Sequence, residues 1–400
     1  MKTKIVALVL FISTAAVVAL FPSARNVGAV APLTVPPVDP PANAPARIEV
    51  VFVLDTTGSM GGLIQAAKEK IWSIATTMAQ AEPAPEIKMG LVAYRDRGDA
   101  YVTQVVDLSA DLDSMYATLM DFDANGGGDG PESVNQALYE AVHNVSWSQD
   151  PKAYKVVVFL VGDAPPHMDY ADDVKYPQTA AAAKQKGIVI NTIQCGQNNA
   201  TTGQWQQIAA LGEGRYFEVE QAGSAVAIAT PFDEALAKLS AKLDDTRLYY
   251  GSKEERKKKQ AKIEATDKLH AKSSVSSRAR RAAFNASKSG ESNLLGKREL
   301  VNDVTSGQVD LSSIDRDKLP EPMQAMAPED QDTMITEVAH RRNEIQGQIK
   351  ELAGKRSSYL KQKVEAQGGA RDSLDQKLYD TVREQAGNAG LEYKADAPAY

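Results

Sequence analysis

The stretch RIEVVFVLDTTGSM, residues 47–60, joins an apolar run to a short polar turn. Within it, VVFVL shows no alternation of apolar and polar residues, which is typical of a central parallel strand covered on both faces. A second unbroken run, KVVVFLV at 155–161, has the same character. The polar turn is therefore expected at the carboxyl edge of a parallel sheet, where open α/β folds hold their ligands.

Strand-like runs alternate with helical stretches between residues 47 and 250. The six predicted strands are RIEVVFVL (47–54), IKMGLVAY (87–94), YVTQVVDL (101–108), KVVVFLV (155–161), GIVINTI (187–193) and RYFEV (215–219). Helices are predicted near 61–81, 111–121, 131–145, 176–186, 203–211 and 224–248. This alternation predicts a doubly wound α/β fold, with a mostly parallel six-stranded sheet flanked by helices.

Three side chains of the polar turn can converge on one point above the sheet edge. Asp55, Thr57 and Ser59 are spaced two residues apart around Gly58. A carboxylate and two hydroxyls are hard oxygen ligands, which suit Mg²⁺ or Ca²⁺ and suit zinc or copper poorly. The same residues are also compatible with a capped turn at a helix start, in which side chains bond backbone amides.

Two further carboxylates favour a cation site over a capped turn. The second unbroken run ends in Gly162-Asp163, which brings Asp163 to the same sheet edge. Between the two strands lies NGGGDGPES, residues 125–133, whose glycines permit a close backbone approach and present Asp129. The sequence therefore predicts a metal centre formed by Asp55, Thr57, Ser59, Asp129 and Asp163.

These three separated motifs, D-x-T-x-S, the Gly-rich loop and G-D, resemble the metal-ion-dependent adhesion site of von Willebrand factor A domains. The resemblance covers roughly residues 47–250. It implies that Thr57 and Ser59 coordinate the cation directly, while Asp55 and Asp163 hold its waters. The family usually has threonine where this chain has Asp129. A carboxylate there would retain the cation more strongly and lower its attraction for an acidic group of a partner.

Shorter segments resemble one subgroup of this family more closely. YRDRGD, GGGDGPE and GDAPPH are similar to the A domains of hemicentin and α-kinase-associated proteins. TRLYYG, LPEPMQ and the helical tail resemble bacterial exported proteins of that kind. The resemblance implies a protein-binding module.

The N-terminus has the pattern of an export signal. Lys2 and Lys4 precede an uncharged apolar run from Ile5 to Phe21. We expect residues 1–31 to be a signal peptide or an uncleaved N-terminal anchor, and residues 32–46 to be a Pro-rich linker. The expected location is periplasmic or extracellular, and the only membrane contact would be through the N-terminus.

The composition changes after Gly251. Residues 251–328 contain KEERKKKQAKIEATDKLHAK and few large apolar side chains, so they are predicted to form a charged, partly disordered linker. Acidic residues interrupt the basic ones, and the chain has a net charge of -7. Both features argue against binding to nucleic acid.

Residues 329–400 are predicted to form a helical hairpin or coiled-coil-like tail. A seven-residue apolar repeat is formed by Val338, Ile345, Leu352 and Tyr359, with Ile335 and Ile349 on the neighbouring row. The same row carries Arg342, Arg356 and Lys363. Charges in that row weaken a self-sufficient coiled coil, so the hairpin should pack on itself or on the main domain.

Several residues have both a structural and a functional interpretation. Cys195 is the only cysteine and ends an apolar run, so a buried core position is predicted. Arg97-Gly98-Asp99 spells an integrin-recognition tripeptide, although a charged turn is the simpler interpretation. His167 should border the cation as a hydrogen-bonding group, because a hard cation prefers oxygen. The three tryptophans are expected in the core or on helix faces.

Two classes of function fit these features. The first is an exported, non-catalytic module that binds a protein or cell-envelope ligand at its Mg²⁺ or Ca²⁺ site. The second is a metal-dependent hydrolase, or a non-catalytic subunit of an envelope enzyme complex, in which Asp129 and His167 flank a water-activating metal. No pairing of nucleophile and base is evident in the sequence, so no catalytic residue is assigned.

Overall fold

The computed structural model describes residues 46–128, 130–149, 153–220, 228–366, 374–388 and 390–393. The expected signal or anchor lies outside these residues, as does the Pro-rich linker apart from Ala46. Within the described ranges, no helix has the length and apolar character needed to cross a membrane.

A mixed sheet of six strands lies at the centre of the described chain. The strands are β1 (Arg47–Asp55), β3 (Glu86–Tyr94), β4 (Thr103–Ser109), β5 (Tyr154–Gly162), β6 (Ile188–Cys195) and β7 (Glu213–Val219). Their order is β4-β3-β1-β5-β6-β7. Only the pairing of β3 with β4 is antiparallel, so β1 and β5 end side by side at one edge. The predicted fold class is confirmed.

Helices cover both faces of this sheet. One face carries α1 (Gly61–Met78) and α2 (Leu112–Leu119), and the other carries α3 (Val134–His143), α4 (Tyr176–Gln185) and α5 (Asn199–Leu211). This two-sided cover explains the unbroken apolar run of β1. Trp72 on one face, Trp205 on the other and Cys195 are all buried, as the sequence predicts.

The helix predicted at 224–248 is shorter than expected. Residues 221–227 lie outside the described chain, and α6 spans Asp233–Asp244. The Asp233 carboxylate accepts hydrogen bonds from the backbone N–H of Thr230 at 2.9 Å and from its hydroxyl at 2.8 Å. This local turn places the start of the helix at Asp233.

Residues 251–328 differ from the predicted partly disordered linker. They form α7 (Lys253–Lys272), α8 (Val275–Asn285), α9 (Glu291–Leu295) and α10 (Leu300–Thr305), followed by three short 3₁₀ turns. The first of these helices begins with a capping box, in which Ser252 and Glu255 exchange side-chain and backbone hydrogen bonds.

Buried ion pairs hold this segment to the α/β domain. The guanidinium of Arg281 in α8 is fully buried, with Nε 2.6 Å from Asp113 Oδ1 and Nη1 2.7 Å from Asp244 Oδ2. These two carboxylates belong to α2 and α6. Arginines in a charged, apolar-poor sequence are ordinarily solvated, so the composition of this segment predicts a linker.

The tail packs on the main domain, which is one of the two alternatives that the sequence leaves open. The helix α11 (Pro328–Ala366) lies against α6, α8 and α10, and α12 (Leu374–Gly387) lies against α1 and β7. Arg342 and Arg356 face inward, where they pair with Glu299 and Asp233 at 2.8 Å. Two of the three charges that break the apolar row are therefore partners of buried carboxylates, whereas Lys363 is exposed. A short strand, β8 (Glu392–Tyr393), pairs antiparallel with β2 (Ala81–Glu82).

Candidate metal centre

The turn after β1 brings three of the predicted ligands together. Asp55 is the last residue of the strand and is fully buried. Its Oδ1 accepts the Thr57 backbone N–H at 2.9 Å and the Thr57 hydroxyl at 2.7 Å. Thr57 Oγ1 lies 3.3 Å from the hydroxyl of Ser59. Because Thr57 directs its proton to Asp55, the lone pairs of the hydroxyl oxygen remain available to a cation.

The second carboxylate oxygen of Asp55 has no hydrogen-bond partner although it is buried. Burial and, to a smaller extent, the charge of Asp163 raise the pKa of Asp55 to about 7, although the hydrogen bonds from Thr57 and the charge of Arg95 act in the opposite direction. A buried unpartnered carboxylate oxygen is costly, and a bound cation would remove that cost.

The segment after β5 carries Asp163 at the same edge. Its half-buried carboxylate lies close enough for its charge to act on Asp55. The helix α5 fixes this segment, because Thr201 Oγ1 donates to the Asp163 carbonyl and Trp205 Nε1 donates to the Ala164 carbonyl, both at 3.0 Å. The structure thus brings Asp163 to the predicted centre.

The Gly-rich loop is bonded to the turn after β1. The N–H of Asn125 donates to the Thr56 carbonyl at 3.1 Å, and the N–H of Gly58 donates to the Gly126 carbonyl at 3.0 Å. Gly127 has a φ of +69°, and a Cβ there would lie 2.7 Å from the Cβ of Thr57. Only glycine fits this position. Asp129, the fourth predicted carboxylate or hydroxyl ligand along the chain, lies outside the described residues.

One acidic residue of the centre is absent from the predicted set. Glu132 is 4% exposed, and its Oε2 is buried without a hydrogen-bond partner. Burial raises the pKa of Glu132 to about 9, and the charge of Asp55 is the strongest electrostatic contribution after burial. The sequence signal was the Pro131-Glu132 pair near the end of the Gly-rich loop, just before α3 begins.

The integrin-like tripeptide forms a turn, as the sequence predicts. The Asp99 carboxylate accepts the N–H groups of Asp96 and Gly127, which ties it to the Gly-rich loop. The Arg97 guanidinium lies 4.1 Å from the centre of the Tyr170 ring and pairs with Asp173 at 2.7 Å. The tripeptide is therefore tied through Asp99 to the loop that contacts Thr57.

His167 lies at the rim of the centre and hydrogen-bonds to acidic groups. Its Nδ1 is 2.7 Å from Asp169 Oδ1 and its Nε2 is 3.3 Å from Asp96 Oδ2. The ring stacks on Tyr170 with 3.9 Å between ring centres. Both nitrogens thus face carboxylates of the rim.

The described donors suit a hard divalent cation. Among the residues that the structure describes, no group of three or more His, Cys, Asp and Glu side chains is arranged to hold a metal. The candidate centre combines two hydroxyls with carboxylates instead, and two of those carboxylates have a buried oxygen without a partner. Oxygen donors of this kind fit Mg²⁺ or Ca²⁺.

The chain contains a von Willebrand factor A domain, because residues 49–231 match the family model of that domain. Von Willebrand factor A domain-containing protein 7 of Rattus norvegicus is 36% identical over 115 residues, which cover 29% of this chain and 12% of that protein. The putative ariadne-like RING finger protein R811 of Acanthamoeba polyphaga mimivirus is 27% identical over 125 residues, or 30% of this chain and 11% of that protein. The chain thus spans about a tenth of the length of these relatives.

Solved structures similar to this chain are more distant in sequence. The conserved hypothetical protein BatB from Bacteroides thetaiotaomicron is 17% identical, with 43% of this chain and 90% of that chain covered and a TM-score of 0.34. Proximal thread matrix protein 1 from the mussel byssus, in a structure with a zinc-occupied MIDAS motif, is 17% identical, with 44% and 42% covered and a TM-score of 0.33.

Proposed function

We propose that this chain is a non-catalytic binding module that engages a protein or cell-envelope ligand at a Mg²⁺ or Ca²⁺ centre. The observation that carries the proposal is the buried, unpartnered Oδ2 of Asp55 beside the hydroxyls of Thr57 and Ser59. Asp163 adds a carboxylate from the neighbouring strand. A divalent cation bound there would offer a coordination position to an oxygen atom of the partner.

The surface around the centre supports a protein partner. Met168 and Val174, in the segment after β5, are large apolar side chains that are 42% and 43% exposed. Asn135 holds this segment by donating to the His167 carbonyl at 2.6 Å. Apolar side chains held at the rim of a polar centre are a feature of protein-binding surfaces.

The described residues near the centre give little support to the alternative of a hydrolase or an envelope enzyme subunit. A general base must be placed to take a proton from water. Both nitrogens of His167 face rim carboxylates, and burial raises the pKa of the Cys195 thiol above its usual range. Both groups are thus poorly prepared for catalysis.

Export is part of the proposal. Its support is the apolar run from Ile5 to Phe21 that follows Lys2 and Lys4. On this basis the module acts in the periplasm or outside the cell, with the N-terminus as signal or anchor.

Metal titration of the whole chain tests the centre. Calorimetry with Mg²⁺ and with Ca²⁺ should show binding to the wild type and none to Asp55→Ala. The melting temperature of the wild type should rise with metal and fall with chelator, because the cation binds only the folded state. Identical titrations for the two proteins would rule out the assigned centre. Partner capture from an envelope fraction, compared between wild type and Asp55→Ala with and without chelator, then tests the binding role.

A further inference from the structure

We infer that Glu132 is a ligand of the cation, so that this chain supplies a further carboxylate to the coordination of the ion. This inference rests on the proposed function, since it assigns a further residue to the same centre. With this assignment, the Gly-rich loop also supplies a ligand to the centre.

The backbone of Glu132 is fixed against the segment that carries Asp163. Its N–H donates to the Pro165 carbonyl at 2.9 Å, and its carbonyl accepts the N–H of His167 at 3.1 Å. Glu132 and Pro166 also form an isolated parallel β-bridge. The position of Glu132 relative to the end of β5 is therefore set by main-chain hydrogen bonds, which do not depend on its side chain.

The side chain of Glu132 borders the same glycine as Thr57. A Cβ on Gly127 would lie 2.7 Å from Thr57 Cβ and 3.1 Å from Glu132 Oε1. The missing side chain at Gly127 thus leaves room for both groups side by side. Thr57 in turn bonds Asp55, which connects the Glu132 carboxylate to the rest of the centre.

Two buried carboxylate oxygens without partners occur in this one centre. They are Asp55 Oδ2 and Glu132 Oε2. Arg95 is the basic side chain whose charge acts on Asp55, yet its guanidinium is bonded to the carbonyls of Thr56 and Asp123. When ionised, these two buried carboxylates, with the carboxylate of Asp163 nearby, require a compensating positive charge. A divalent cation bound by both orphan oxygens supplies it.

A ligating Glu132 changes the kind of partner that the centre fits. Each added carboxylate neutralises part of the charge of the ion, which weakens its attraction for an acidic side chain. The rim adds Asp96, Asp99, Asp169 and Asp172, of which the last two are exposed. The partner contact therefore has neutral oxygen donors or basic side chains.

The test is metal titration of Glu132→Gln in the whole chain. This variant keeps the size of the side chain and removes the charge, so the affinity for Mg²⁺ and Ca²⁺ should fall by about 10- to 100-fold. Glu351→Gln is the matched control, because Glu351 is an exposed carboxylate on α11 that pairs with Lys355, and the affinity of this variant should equal that of the wild type.

Thermal unfolding separates a ligand from a structural residue. In chelator, Glu132→Gln should melt at or above the wild-type temperature, because it removes a buried carboxyl group that has an oxygen without a hydrogen-bond partner. With saturating metal it should melt below the wild type. A structural role for Glu132 would instead lower the melting temperature in chelator as well. Glu132→Asp, which keeps the charge and shortens its reach, should weaken metal binding without loss of folding.

The outcomes distinguish this inference from the proposed function. If Glu132→Gln binds metal like the wild type while Asp55→Ala does not, the centre stands and Glu132 is not a ligand. If both variants bind like the wild type, the centre itself is wrongly assigned.

Discussion

Gly127 connects the two halves of the metal centre at the scale of a single residue. Its positive φ and the closeness of Thr57 and Glu132 leave no room for a side chain. The neighbouring Gly128 has open space around the position of a Cβ. The two glycines of one loop therefore have different structural requirements.

Gly127→Ala should destabilise the fold by about 1–3 kcal/mol and weaken metal binding, because the strained backbone and the contact with Thr57 displace the loop. Gly128→Ala should leave both properties unchanged. Chemical denaturation and calorimetric metal titration of the two variants measure the difference. Equal behaviour of the two variants would show that the loop adapts to a side chain at either position.

Part of the centre could be predicted from sequence because its residues are close along the chain. Asp55, Thr57 and Ser59 share one turn, and the end of an apolar strand places Asp163 at the same edge. Glu132 is different, since its contact with the centre depends on the pairing of its backbone with Pro165. A contact between segments distant in sequence leaves no local spacing to detect.

At the scale of secondary structure elements, α8 is anchored by charge. Arg281 bonds carboxylates from two other helices, Asp113 in α2 and Asp244 in α6. Amphipathic patterns of apolar residues identify helices such as α1, but they assign an arginine to the solvent. The position of α8 could not be predicted for this reason, and that of α11 stayed open between two alternatives, since their arginines face buried acids.

Arg281→Met should destabilise the protein by about 3–5 kcal/mol, because it leaves two carboxylates buried without their main partner. Arg298→Met is the matched control. Arg298 pairs with Glu255 at 3.0 Å, but its side chain is 50% exposed, so a loss of at most about 1 kcal/mol is expected. Urea denaturation of both variants measures these values. A similar loss in the two would mean that the buried triad gives no more stability than a surface pair.

The triad also predicts how stability depends on pH. Burial alone would raise the pKa of Asp113 and of Asp244, and Arg281 with its basic neighbours more than reverses this, so both pKa values lie below the usual range. Such groups stabilise the fold above the unfolded pKa of about 4, and that stability is lost as the pH falls.

The free energy of unfolding of the wild type should therefore decrease from pH 5 to pH 2 more steeply than that of Arg281→Met. In the variant, the buried carboxylates lose the partner that keeps them ionised. Protonating them at low pH therefore lowers the free energy of unfolding by less than in the wild type. Urea denaturation across this pH range gives both slopes. If the free energy of unfolding fell equally steeply with pH in the two proteins, the acid sensitivity of the wild type would come from other carboxylates.

At the scale of the whole molecule, the C-terminal helices form a layer of the α/β domain. Phe284 of α8 lies against Trp72 of α1, with 5.9 Å between ring centres. On its other side α8 shares a core with α6 and α11, where Ile349 is fully buried. A continuous path of packed side chains thus joins α11 to the helices that cover the sheet.

This continuity predicts that the tail and the sheet unfold together. Ile349→Ser should destabilise the protein by about 2–5 kcal/mol, because it leaves a cavity and buries a hydroxyl in the core shared by α6, α8 and α11. Trp72 and Trp205 are buried on opposite faces of the sheet, so tryptophan fluorescence reports the α/β domain.

In denaturant, the fluorescence transition of Ile349→Ser should shift to lower concentration as a single step, together with the loss of helical circular dichroism. Gln348→Ser changes an exposed neighbour on the same helix and should leave the transition unchanged. If α11 were an independent module, Ile349→Ser would lower the circular dichroism signal in a separate early step while the fluorescence transition stayed at the wild-type position. That result would separate the tail from the domain that carries the metal centre.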